Sequence, residues 1–149
     1  MSKLFLAGIL FAATVAAAPN DSRMARLQYF VGTWHCTWHA GTQTGNMDQV
    51  FSPTFDGAWI AEQEIVTVGG HPKVVSLHYT GYDVRAKEYV HVGPDADGSY
   101  ELARSVDGDT WTNADGTFVF RRVSQDERTM TAVGPDGKAL ESMDCARAH

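Results

Sequence analysis

Six dipeptides, Asp56-Gly57, Gly69-Gly70, Asp97-Gly98, Asp107-Gly108, Asp115-Gly116 and Asp136-Gly137, limit this chain's fold more than any other feature. Asp-Gly and Gly-Gly supply the positive φ angles of tight hairpin turns, so such pairs between alternating segments mark strand reversals. Between them run short stretches rich in Val, Thr, Tyr, Phe and Trp. Strands are predicted near 33–40, 47–55, 58–68, 73–82, 87–93, 99–105, 109–112, 117–124, 128–134 and 138–146. No segment after Gly32 has the periodicity of a long helix, which excludes parallel α/β folds. The expectation is an all-β fold, a single antiparallel up-and-down β-barrel of about eight to ten strands. Closure is preferred to a sandwich because it removes exposed strand edges.

The entrance to this strand series is distinctive. Asp21 or Ser22 can cap a short N-terminal helix in which Met24, Leu27 and Val31 recur at helical spacing. Gly32-Thr33-Trp34 follows, opening a strand with Trp34, Cys36 and Trp38 on one face, so that a Trp plugs one end of the barrel. Residues 1–18 read as a cleaved signal peptide: Lys3, then the apolar run Leu4 to Val15, then Ala16-Ala17-Ala18 before Pro19. That run is too short to span a bilayer, which takes roughly 20 apolar residues. The remainder, 19–149, is expected to be one exported domain, periplasmic or secreted.

Cys36 and Cys145 are the two cysteines. In an oxidising compartment two distant cysteines usually pair, and a closed barrel makes the first and last strands neighbours, so a disulfide is expected. Acidic residues outnumber basic ones, 18 to 12, and no Lys/Arg cluster occurs. Nucleic acid and stable membrane insertion are therefore not expected. Oligomeric state is not readable.

Candidate site residues come from the faces of strands. His78 and His91 fall on consecutive predicted strands. If residues whose numbers sum to about 169 oppose each other, His78 faces His91 and Thr80 faces Tyr89, four residues on one face. The other face, with Val75, Leu77, Tyr79, Val90 and Val92, is more apolar and is the default core, leaving the histidines outside. In the pocket alternative, Trp38, Trp59, His78, Tyr89 and His91 bind a small hydrophobic or amphipathic ligand in the barrel mouth, without turnover. Glu62 and Glu64 share one face of a strand and read as a solvated edge. His35 and His39 lie about 13 Å apart along a strand, too far to share one ion, and read as surface residues. No nucleophile elbow, P-loop or His-Glu-x-x-His occurs. No catalytic residue, metal site or cofactor is assigned. The alternatives are a small isomerase- or hydrolase-type enzyme using His78 or His91 with Glu62 or Glu64, and haem or metal binding through the same histidines.

The short helix followed by Gly32-Thr33-Trp34 resembles the calycin superfamily, which includes lipocalins, fatty-acid-binding proteins and the haem-binding nitrobindins. In lipocalins an arginine from a late strand packs over that Trp; the resemblance offers Arg121, Arg122 and Arg147 for the role. Leu27 to Trp38, Gly57-Ala58-Trp59-Ile60-Ala61-Glu62, Gly81-Tyr82-Asp83 and Asp97-Gly98 more closely resemble exported bacterial proteins classed as lipocalin-like domains of unknown function. That likeness implies the barrel and no settled activity. The glycine-rich opening strand of nitrobindins is replaced here by His35, Cys36 and Trp38, and their haem-ligating histidine has no clear counterpart.

Overall fold

The structure, a computed structural model, describes residues 22–149. The signal-peptide reading of 1–18 and capping by Asp21 lie outside the described residues. A helix, α1 (Ser22–Leu27), buries Met24 and Leu27 and passes through a 3-10 turn, Gln28–Phe30, into the sheet. The strands are β1 (Gly32–Ala40), β2 (Gln43–Thr54), β3 (Trp59–Val68), β4 (His71–Asp83) and β5 (Glu88–Pro94), then β6 (Tyr100–Ser105), β7 (Thr110–Thr112), β8 (Phe118–Arg122), β9 (Glu127–Val133) and β10 (Ala139–Arg147). Each pairs antiparallel with the next, and β10 returns to β1 to close the barrel. Every predicted segment meets one of these strands, and all six dipeptides lie at reversals.

Closure is covalent as well as hydrogen-bonded. Cys36 and Cys145 are direct partners in the β1–β10 ladder, their Cα atoms 4.0 Å apart, and they form the disulfide expected. Both are buried on the inner face.

One end of the barrel is plugged. Leu27, Tyr29, Phe30, Trp34, Tyr89 and Trp111 are packed there with almost no exposure. The polar atoms of these rings are satisfied, as buried donors must be. Trp34 Nε1 donates to the Phe30 carbonyl at 2.8 Å, and Trp111 Nε1 to the Gly108 carbonyl at 3.1 Å. Of the three arginines offered for packing on Trp34, Arg147 does so, its guanidinium 4.4 Å from the ring. The same group donates to the carbonyls of Val31 and Tyr29, tying the last strand to the turn before the first. Arg128 on β9, which sequence reasoning missed, lies 4.5 Å from the Trp34 ring. The opposite end, ringed by the turns near 41, 69, 97, 115 and 136, is the mouth.

The β4–β5 register differs from the expected one. Thr80 pairs with His91 and Tyr82 with Tyr89, so opposed numbers sum to 171 rather than 169. A slip of two residues preserves the face. His78, Thr80, Tyr89 and His91 thus remain together, and that face points inward. The default reading, valines inside and histidines outside, is overturned: His78 is 2% exposed while its neighbour Leu77 is 37% exposed.

Candidate functional site

Inside the barrel, above the aromatic plug, is a cavity of about 670 Å³ with two unlike walls. Strands β7 to β10 contribute Trp111, Phe118, Phe120, Met130, Ala132 and Met143, joined by Phe30, Met47 and Phe51. Cross-strand pairing builds this apolar wall directly: Trp111 opposes Phe120, Phe120 opposes Met130, and Met130 opposes Met143.

The facing wall, from β2 to β6, is polar. In the same register Phe51 opposes Glu62 and Glu62 opposes His78, while Gln49 opposes Glu64 and Glu64 opposes Ser76. Glu62 and Glu64 are therefore inside the barrel. The expectation of a solvated edge fails because the outward positions of β3 belong to Trp59, Ala61 and Gln63, and Glu62 is 3% exposed. Glu101 from β6, with Asp95 and Asp97 from the turn after β5, adds further carboxylates to this wall.

The cluster is tight. Glu62 Oε2 is 3.8 Å from His78 Nδ1 and 3.7 Å from His91 Nε2. Glu101 Oε1 is 3.6 Å from His91 Nε2, and Asp95 Oδ1 is 3.2 Å from His78 Nε2. His91 Nδ1 lies 2.9 Å from Thr80 Oγ1, a hydrogen bond that holds the ring. Neither ring nitrogen of His78 has a hydrogen-bond partner, although the residue is buried. The two rings meet edge to face, centroids 4.8 Å apart. Gly93 makes this packing possible: a Cβ there would sit 2.1 Å from the Leu77 carbonyl oxygen and 2.6 Å from the His78 ring.

Burial and charge set the protonation pattern. Burial pushes His78 down, but the carboxylates of Glu62, Glu101 and Glu64 outweigh it and raise the imidazole to about 9. Burial drives His91 down to about 4, against the pull of Glu62, so it is neutral at pH 7. Burial raises Glu101 to about 7. Burial also raises Glu64, with the neighbouring Glu62 charge adding to it. Glu62 resists burial because His78, His91 and Arg128 together hold its carboxyl below the usual range. Arg128 donates to Gln49 Oε1 and lies 4.5 Å from the Phe51 ring, a buried cation caged by aromatic faces.

The five residues singled out from sequence are not placed alike. His91 lines the cavity, and His78 stands behind it in the same wall. Tyr89 is below the cavity, in the plug, where its hydroxyl donates to the Arg23 carbonyl at 3.3 Å. Trp38 and Trp59 do not line the cavity. Each ring lies flat over the glycine opposite it: a Cβ at Gly45 would be 2.5 Å from Trp38, and one at Gly81 would be 2.5 Å from Trp59. Trp59, moreover, is on the outer face, since Ile60 and Glu62 take the inward positions. Sequence reasoning missed Gln49, Glu101 and Arg128. Their signal was parity with inward neighbours, legible only once the inward face of each strand is known.

No protein-family model and no curated protein matches this chain. Among solved structures it is similar to a redesigned β-barrel, at 12% sequence identity and a TM-score of 0.51, over 83% of this chain and 96% of that one. The likeness supports the barrel fold and carries nothing about a ligand.

Proposed function

We propose that this protein is an exported, lipocalin-like barrel that binds a small amphipathic molecule without transforming it. The observation that carries the reading is the division of the cavity: carboxylates of Glu62, Glu64, Asp95 and Glu101 face a wall of Phe, Trp and Met. The volume falls within the ~300–1,000 Å³ common to small-molecule sites. Methionines suit an apolar body of variable shape, because the thioether chain is flexible and polarisable. Arg128 and Lys73 also line the cavity, but the acidic side chains outnumber them, so the ligand's polar end is a donor-rich or cationic group such as an amine. The buried disulfide supports passage through an oxidising compartment.

The test is calorimetric titration of chelator-treated protein with decylamine, decanol and decanoate. The amine is expected to bind tightest and the carboxylate weakest, and Met130→Lys is expected to weaken the amine at least tenfold. Absence of saturable binding by all three, or equal affinity for amine and carboxylate, overturns the proposal. Recovery of the ligand chemically unchanged separates binding from the enzyme alternative, in which neutral His91 would act as a base.

A further inference from the structure

A buried imidazole with two unpartnered nitrogens calls for an explanation, since buried polar groups are nearly always hydrogen-bonded. Both nitrogens of His78 lack such a partner. One of them, Nδ1, shares a small space with Glu62 Oε2 and His91 Nε2, and the three donor atoms all lie within 4.8 Å of one another. From this geometry we infer that Glu62, His78 and His91 form a binding site for a first-row transition-metal dication, with an open coordination position facing the cavity.

The donor set is two imidazoles and one carboxylate, the combination proteins use for zinc or ferrous ions with exchangeable positions. With metal–ligand bonds of about 2.0–2.1 Å, tetrahedral donors are separated by roughly 3.3 Å. The two separations from Glu62, 3.7 and 3.8 Å, are slightly wider, and the two imidazole nitrogens lie within 4.8 Å of each other, so side-chain rotations must draw the three donors together around an ion. The outer contacts also suit a metal site, because a ligating imidazole ordinarily turns its other nitrogen to an oxygen that orients it. His91 turns Nδ1 to Thr80 Oγ1 at 2.9 Å, which leaves Nε2 facing Glu62 and Glu101. His78 Nε2 makes no hydrogen bond but lies 3.2 Å from Asp95 Oδ1, which a small ring rotation would turn into an orienting contact, and Asp95 is itself held by the Ser76 hydroxyl at 2.6 Å. Glu62 and His91 both line the cavity, so an ion between them is reached from the mouth. The cysteines are joined in the disulfide and offer no competing thiolate.

The inference concerns the polar wall alone and stands whether or not an amphipathic molecule binds. It is tested on the oxidised protein, stripped with chelator and titrated with Zn²⁺ by calorimetry and with Co²⁺ by visible absorption. The expected result is one ion per chain, with intense cobalt ligand-field bands of a low-coordinate site. Glu62→Gln and His91→Gln should each weaken binding at least tenfold, while His35→Gln, on the exposed surface, should not. Because inner-wall variants can misfold, the wild-type protein supplies a second readout: Zn²⁺ should shift the ring NMR signals of His78 and His91. Absence of stoichiometric binding, or shifts confined to the exposed histidines, overturns the inference. A failed amphiphile titration with successful metal binding would reject the functional proposal and leave this site intact.

Discussion

Reduction of the Cys36–Cys145 disulfide should cost this barrel a large part of its stability while leaving its shape intact. The bond joins residues 109 apart in sequence. The chain-entropy relation for a loop of that length gives about 4–5 kcal/mol, acting on the unfolded state. The folded state needs little adjustment without it, because seven residue pairs of the β1–β10 ladder still close the barrel. Typical domains are stable by about 5–15 kcal/mol, so the loss is roughly a quarter or more of the total. The assay is equilibrium urea unfolding of the same protein, oxidised and reduced, followed by tryptophan fluorescence and far-UV circular dichroism. With a urea dependence of about 2 kcal/mol/M, the midpoint should fall by about 2 M. The slope should steepen on reduction, since an uncrosslinked unfolded chain exposes more surface. Unfolding free energies within about 1 kcal/mol, with equal slopes, would refute the argument that the bond acts by restraining the open chain.

Trp111→Ala removes a ring that is 1% exposed from the plug and should destabilise the fold by about 3–5 kcal/mol in urea unfolding. Gly93→Ala should cost about 1–3 kcal/mol or more, because the new methyl meets the Leu77 carbonyl and the His78 ring; an unaltered melting temperature would contradict the close approach. Asp107 accepts hydrogen bonds from the amides of Thr110 and Asp109 and from the Ser105 hydroxyl, with burial opposing more weakly than the Thr110 contact, and its carboxyl is held below the usual range. A depressed carboxyl contributes stability above its unfolded pKa, and that contribution is lost as pH falls through the folded value. Asp107→Asn should therefore flatten the acid limb of the stability–pH curve, and an unchanged limb would show that the turn does not need the charge.

The strand series was legible because turn chemistry is local. Six reversals carry a dipeptide that can adopt the required backbone, and the segments between them are too short for helices. The β4–β5 register was not legible in the same way, since that reversal has no Asp-Gly. Asp83 is itself the last paired residue, opposite Glu88, and its carboxylate accepts the amides of Arg85 and Ala86 at 2.9 and 3.1 Å. The four-residue loop that follows shifts the pairing by two. Inside and outside were misjudged on β3 and β4 for a different reason. Counting apolar residues identifies a core only where the core is apolar, and here half of the interior is a charged cluster. Hydrophobicity points Leu77 inward, yet the hydrogen-bonded ladder places His78 there, opposite Glu62.

The plugged end also gathers both ends of the described chain. Ser22 begins the helix beneath the plug, and the Ala148 amide donates to the Thr33 carbonyl at 2.9 Å beside it. A linker attached after His149 therefore emerges opposite the cavity's opening. Fixed to a sensor chip or fused to a reporter through that end, the barrel would hold its mouth toward free solution. One immobilisation strategy then serves for amphiphiles and metal ions alike, without reorienting the molecule.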